Sequence, residues 1–370
     1  MSEFTTRKIN DRAGTGAPNF TYGLNSGGSD SGLIGKAYTS SGTEPSSPAN
    51  GDLWYDSDND KLYYYVAGEF KQITHTNADN HLWGGDRGIY AGAGNAATNY
   101  IEYIDITTSG NGTDFGDLTQ NGANLGSVSN KTRIVFCGFQ NNSIEYVTSA
   151  TTGNATDFGD LTSSQRHTAG CSNGTRGLFM MDGTTTTIDY ITIATTGNAQ
   201  DFGDMTQHNG AADGSASGMD ATYGLWAGGR ISGSSTTNIS YVTTATLGNS
   251  SDFGDLTLAR GFFLTQIADT TRSCFAGGFA SNVNDTIDYV TTATPSNATD
   301  FGDMTGSFAR TGGTNNSTTG VIMGGWNGTF GGGYQNQIQQ FTIQTTANAT
   351  DFGDMTAQRH EVGACSGNAS

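Results

Sequence analysis

The stretch Ile144-Glu-Tyr-Val-Thr-Ser-Ala-Thr-Thr-Gly-Asn-Ala-Thr-Asp-Phe-Gly-Asp-Leu-Thr162 is one of six related copies in this 370-residue chain, and their spacing decides the fold. The closing phrase, Asp-Phe-Gly-Asp followed by Leu or Met and then Thr, starts at Asp114, Asp157, Asp201, Asp252, Asp300 and Asp351, at intervals of 43, 44, 51, 48 and 51 residues. The opening phrase is Ile-x-Tyr in five copies and Ile338-Gln-Gln-Phe in the sixth, and it always begins 13 residues before the first Asp. An interval that tolerates no insertion implies a fixed hairpin, and the β-branched and aromatic residues of the opening phrase mark a strand. Asn111, Asn154, Asn198, Asn249, Asn297 and Asn348 are expected to carry the turn, because asparagine bonds nearby backbone and tolerates left-handed conformations.

Working outward, a short apolar run precedes each hairpin, as in Ile134-Val-Phe-Cys-Gly138, Leu225-Trp-Ala-Gly-Gly229 and Val321-Ile-Met-Gly-Gly325. Another strand is expected after each phrase, as in Arg166-His-Thr-Ala-Gly-Cys171 and Arg260-Gly-Phe-Phe-Leu264. Each repeat thus reads as four antiparallel strands: A (after the preceding phrase), B (often ending in Gly), C (Ile-x-Tyr) and D (the phrase). Four strands every 43 to 51 residues point to a propeller blade. The last phrase is followed only by an A-type segment, Ala357 to Cys365, while the first repeat has a clear B strand and a poor A candidate. The two deficits complement each other, so the C-terminal strand is expected to complete the first blade.

This order of elements, over roughly Leu82 to Ser370, resembles the kelch repeat, with Asp-Phe-Gly-Asp standing where kelch units usually carry a Trp. The resemblance and the spacing together give an all-β expectation: a six-bladed kelch-like β-propeller closed by the C-terminal strand.

Composition narrows the function. Glycine contributes 55 residues, charged residues 14% and hydrophobic residues 34%, which fits many short strands and tight turns. A net charge of −18 argues against a nucleic-acid partner, whose binding rests on Lys and Arg at phosphates. No apolar stretch reaches the length needed to span a bilayer, so no membrane insertion is expected, and Met1 to Gly35 lacks the apolar core of a signal peptide. Cys137, Cys171, Cys274 and Cys365 have no Cys-x-x-Cys spacing and fall in strands, so buried free thiols are expected.

No catalytic constellation stands out. Asp-Phe-Gly in a kinase accompanies a Gly-rich loop, a strand lysine and a His-Arg-Asp loop, none of which is present. The five histidines lack metal-ligand spacing, and His167 and His360, each after an arginine in an A segment, are expected to make structural hydrogen bonds. The paired aspartates offer oxygen ligands of the kind Ca²⁺ takes, but not the close succession of an EF-hand loop. A structural use is the stronger reading: the first Asp closing the turn, the Phe packing between blades, the Gly admitting a close neighbour. We therefore expect no enzyme, no metal site and no cofactor.

The B–C loops vary twofold in length while the C–D turns do not vary, and variable loops on a rigid scaffold are where binding usually resides. The longest carries Trp326, Asn327, Phe330, Tyr334, Gln335 and Asn336, aromatic faces and amides suited to sugar rings. Arg230, in the loop of the fourth repeat, is a further candidate.

Before the repeats the chain changes character. Residues 1–35 are rich in Gly, Ser, Thr and Asn, residues 36–80 read as a small β meander, and residues 81–370 hold the repeats. Gly51-Asp-Leu-Trp-Tyr-Asp56 followed by Lys61-Leu-Tyr63 resembles a module of bacteriophage tail and fibre proteins, and the opening with Arg7, Lys8, Ile9, Pro18 and Phe20 resembles the virion-attachment start of cyanophage structural proteins. The resemblance implies a virion protein assembled in the bacterial host cytoplasm: a tail or neck appendage, docked on other virion proteins by its N-terminal arm, homo-oligomeric in the particle and turning its propeller toward a host-surface glycan or receptor. A capsid decoration protein and a lectin not tied to a virion are the alternatives.

Overall fold

The computed structural model describes residues 38–57, 61–72, 84–92, 98–166, 168–180, 186–206, 215–217, 222–231, 234–261, 264–328 and 333–369, and among them every regular element is a strand. Backbone contacts divide the chain into two units, Met1–Ala78 and Asp79–Ser370.

In the first unit, Leu53–Asp56, Lys61–Val66 and Glu69–Gln72 form the expected antiparallel meander. Ala67 and Gly68 both take positive φ (52° and 88°) at the tight turn between its last two strands. A strand that the sequence does not advertise, Tyr38–Ser41, adds to the meander in parallel with Leu53–Asp56. Trp54 is buried, stacked on Tyr63 at 4.8 Å and edge-on to Phe70 at 5.3 Å.

In the second unit each phrase lies in a D strand beside its own C strand. The second repeat is representative: A Gly126–Ser129, B Arg133–Cys137, C Phe139–Thr148 and D Thr156–Arg166 pair antiparallel in the order A-B-C-D. The third repeat (Ala169–Ser172, Arg176–Met180, Thr187–Thr192, Gln200–Asp204) and the sixth (Gly312–Asn315, Thr319–Met323, Gln335–Thr342, Thr350–Arg359) follow the same order. In the first repeat, B Arg87–Ala91, C Thr98–Asp105 and D Thr113–Gly122 take their A strand from the far end of the chain, Gly363–Gly367, which pairs antiparallel with Arg87–Ala91.

The fourth repeat departs from the expectation of four strands. Its described sheet has three, Tyr223–Ala227, Asn238–Thr243 and Ser251–Asp255. The segment Ser215–Ser217 that should supply strand A pairs instead in parallel with Thr265–Ile267, joining the sheet of the fifth repeat (Thr265–Ala268, Arg272–Ala276, Asn284–Thr291, Thr299–Phe308). Ser-Ala-Ser offers neither β-branched nor aromatic side chains to pin a register, and such strands are weakly specified.

The A strands are buried along their whole length in the first, second, third, fifth and sixth repeats, and in all of these but the fifth, Thr265-Gln-Ile-Ala268, small residues predominate. A Cβ on Gly170 would come within 2.3 Å of the Ser127 carbonyl, so glycine there lets two strands touch. Their hydroxyls tie neighbours together: Ser127 donates to the Ala364 carbonyl, Ser172 to that of Ser129, and Ser366 to that of Asn315.

Hydrophobic packing lies between sheets. Each phrase places its Phe and its Leu or Met in a cluster shared with the next repeat. Phe115 and Leu118 pack with Ile134, Phe136 and Ala155, while Phe158 and Leu161 pack with Phe179, Ile191 and Ala199. The last cluster joins Phe352 and Met355 of the sixth repeat to Tyr90, Ile104 and Ile106 of the first.

Candidate functional site

The six phrases are fasteners. In every copy the first Asp and the Gly pair with consecutive C-strand residues, leaving the Phe between them as the extra residue of a β-bulge. The bulge turns Phe inward and gives Gly a φ of 142–155°, a region that only glycine adopts readily. The neighbour then comes close. A Cβ on Gly159 would lie 2.5 Å from the Gly197 carbonyl of the next repeat.

The recurring asparagine also acts across the seam, which corrects its expected role within its own turn. Asn154 Oδ1 accepts the N–H of Asp117 from the preceding repeat, and Gly153 and Ala155 donate their N–H groups to the carbonyls of Phe115 and Asp117. The same asparagine bond recurs at Asn198, Asn249, Asn297 and Asn348. Asn111 makes it to Asp354, from the sixth repeat to the first. The outer edge of each D strand is thereby occupied. It is the second Asp, through its backbone, that takes part; the carboxylate of the first is exposed in all six copies rather than closing the turn.

Two further fasteners carry no local sequence signal. The middle residue of Ile-x-Tyr is buried and receives the phrase Thr of the preceding repeat: Thr119 donates to Glu145, Thr162 to Asp189, Thr257 to Asp288 and Thr356 to Glu102. Arg260 and Arg359 add buried ion pairs to Asp288 and Glu102. The arginine opening strand B lies over the Ile-x-Tyr ring of its own repeat, at 4.2–4.9 Å for Arg87, Arg133, Arg176 and Arg272, and donates to a carbonyl of the next repeat.

With the phrases absorbed by assembly, the loop end of the sixth repeat stands out. Gly324 and Gly325, at φ 62° and 110°, turn the chain out of strand B, and Trp326 bridges to Ala309 on one side and Tyr334 on the other. Phe279 stacks on Trp326 at 6.2 Å, and the Arg310 guanidinium lies over the same ring at 5.6 Å. Tyr334 stacks on His360 at 4.4 Å. Arg310 forms an ion pair with Glu361, whose carboxylate also lies 3.5 Å from His360 Nδ1. Neither ring nitrogen of the buried His360 makes a hydrogen bond, Nδ1 facing Glu361 without one, which corrects the structural hydrogen bond expected there; His167 lies outside the described residues.

The backbone here is strained. Arg310, Glu361 and Asn124, at the equivalent D–A position of three repeats, have φ of 63°, 60° and 58°, three of the five non-glycine residues with positive φ among those described. They are chained: Glu361 N–H donates to the Arg310 carbonyl, and Asn124 N–H to that of Glu361. Strain of this kind costs about 1–3 kcal/mol per residue and clusters at functional sites.

Among the residues expected to bind, Trp326 and Tyr334 meet in this cluster. Asn327 is exposed at the loop base, its N–H bonded to the Gly333 carbonyl, and the Gln335 amide donates to the same carbonyl. Asn336 is half-buried on strand C. Phe330 and the anchoring residues Arg7, Lys8, Ile9, Pro18 and Phe20 lie outside the described residues; Arg230 is on a two-residue strand paired with Ser234–Ser235, its side chain likewise outside them. Phe279, Arg310, Glu361 and Asn124 join the cluster without belonging to any recurring motif of the sequence. The signal that leads to them is positional, since D–A loops emerge at the same end as B–C loops.

Among the described residues no group of three or more His, Cys, Asp or Glu is placed to hold a metal ion, and no helix is long and apolar enough to cross a membrane. No protein-family model matches the chain, and no curated protein matches its sequence.

Proposed function

We propose that residues 81–370 form a closed six-bladed kelch-like propeller serving as the head of a bacteriophage virion protein, a tail or neck appendage that docks through its N-terminal arm and contacts the host surface. The closed ring is supported by the run of contacts between A strands, from the second repeat through Ser215–Ser217 and the fifth and sixth repeats to Gly363–Gly367 and back to the second. The virion assignment rests on the resemblance of Gly51 to Tyr63 and of the opening residues to phage structural proteins. The reading as a binding head rather than an enzyme is supported by what the two ends of the repeats hold. At the C–D end the recurring residues are spent on joining repeats, whereas the B–C and D–A end of the sixth repeat concentrates aromatic rings, compensated charges and backbone strain.

The carrying observation is that concentration. A seam built only for stability has no use for three left-handed non-glycine residues in three hydrogen-bonded D–A turns. The test is deletion of residues 1–35, followed by mass spectrometry of purified particles. Particles lacking the chain, with the truncated protein still folded in the lysate, are the expected result. Unchanged virion content would sink the docking role, and a position on the capsid lattice in a particle reconstruction would favour the decoration reading over the appendage.

A further inference from the structure

Nine buried side-chain polar atoms have no hydrogen-bond partner among the described residues, and five of them belong to the segments where the sixth repeat adjoins the first: Thr98 Oγ1, Asn124 Oδ1, Arg359 Nη1 and both ring nitrogens of His360. The junction is continuous. Thr98 pairs in register with Gly122, two residues from Asn124; Asn124 bonds the Glu361 backbone; and the Arg359 guanidinium lies 5.6 Å from the centre of the Tyr100 ring, a side chain that is 53% exposed. A buried polar group left unpaired loses its hydration without replacement, so such a concentration calls for something to satisfy it.

The chemistry of the set narrows the ligand. A neutral imidazole offers one donor and one acceptor, Asn124 Oδ1 an acceptor, Arg359 Nη1 a donor and Thr98 either. An anion would meet Glu102 and Glu361, and a cation would meet Arg310 and Arg359, each of which already has its counter-ion within the protein. Hydroxyl groups, which donate and accept, match a mixed and charge-compensated set. The flanking rings of Tyr334 and Tyr100 supply apolar walls for C–H faces.

We propose that this junction binds an uncharged, hydroxyl-rich sugar ring, with Tyr334 and Tyr100 as its walls and His360, Asn124 and Arg359 as its hydrogen-bonding groups. The inference rests on the reading of this end as the host-contacting one and adds the class of glycan, neutral rather than acidic. The His360 nitrogens lie beneath the surface, and a hydroxyl reaches them as the partly buried Tyr334 ring slides off the imidazole to become the wall of the site, so binding moves that side chain.

The full-length chain on an array of neutral, uronic-acid, sialylated and phosphorylated oligosaccharides provides the test, with the strongest hits measured by calorimetry. Neutral glycans should dominate, and Tyr334→Ala and His360→Ala should each weaken binding roughly tenfold, the loss of about one hydrogen bond or ring contact. Thr108→Ala, in a C–D turn at the opposite end, should bind as the parent does. Should His360→Ala fail to fold, ¹⁵N-histidine spectra of the unmodified chain give an independent readout, since one imidazole of five should shift when the glycan is added. A silent array, a preference for acidic glycans, or binding unaltered in both variants with no imidazole shift overturns the proposal. Particle incorporation is a separate measurement, so normal incorporation with a silent array removes the sugar site and leaves the virion assignment standing.

Discussion

At the scale of single residues, the phrase divides its labour between side chains and backbone, and each part has its own consequence. Gly159 sits at φ 146° with the Gly197 carbonyl where a Cβ would go, so Gly159→Ala meets both backbone strain and a steric clash that neither strand can relieve. A loss of about 3 kcal/mol is expected in chemical denaturation, with Gly153→Ala, which has open space around it, as the mild comparison. Asp189 behaves differently. Burial pushes its carboxyl above the usual Asp range, outweighing the Thr162 bonds that pull it down, with Asp201 adding to the rise. A carboxyl raised in the fold stabilises the protein below the unfolded value of about 3.9, and that contribution is lost as pH rises through the folded value. Asp189→Asn should therefore melt higher than the parent at pH 7, with the gap closing toward pH 4; Gln339, an amide at the equivalent position accepting the Thr305 N–H, makes the substitution sterically credible. A gap independent of pH would refute this account. The four cysteines are free and buried, with burial pushing Cys137 up to about 12 and Cys365 to about 11, so none should react with a thiol reagent at pH 8 until the chain is unfolded.

At the scale of elements, what the sequence made visible and what it hid divide by range. The C–D hairpin was legible because its spacing is local and constant, and the Phe and Gly of the phrase because their kinds imply packing and close approach. The asparagine is legible as a turn residue but its partner is not, since its side-chain oxygen accepts from an N–H 37 to 45 residues away in five of the copies, beyond any local pattern. Glu102 in Ile-x-Tyr looked like an ordinary strand residue, although it receives Thr356 and Arg359 from the other end of the chain. Loop-end residues were legible only where the composition was unusual: Trp326 and Tyr334 drew notice, while Arg310 and Glu361, separated by 51 residues and unlike in kind, did not. Energies follow the same division. Asn198→Ala removes one exposed cross-seam bond and should cost about 1 kcal/mol. Glu102→Gln leaves Arg359 buried without its counter-ion, and about 3–5 kcal/mol is expected. Equal effects of the two substitutions in urea denaturation would mean that the seam acts through shape and not through its charges.

At the scale of the whole molecule, stability is shared around seams of nearly identical build, so the consequence of breaking one depends on whether a strand or only a side chain is removed. The strand Gly363–Gly367 is the only described partner on the A side of Arg87–Ala91, and it inserts between the A strands of the sixth and second repeats through Ser366 and the Ala364 carbonyl. Ending the chain at Val362 removes five ladder positions, worth about 5 kcal/mol at about 1 kcal/mol each, a loss comparable to the whole net stability of many domains. It also uncovers Ile89, Tyr90 and Ala91 along a bare strand edge, a template for pairing with other chains. The shortened protein should bind a hydrophobic dye, lose its cooperative melt and aggregate at micromolar concentration. Adding a peptide of residues 357–370 in excess should restore the melt, because the missing strand carries its own register in Ala364 and Cys365 and needs no covalent link to be read by Tyr90 and Ile89. A shortened chain that melts within a few degrees of the parent without the peptide would mean that the six seams hold without this strand, and that the first repeat is stabilised mainly by its bonds to Asp354 and Thr356 at the opposite edge.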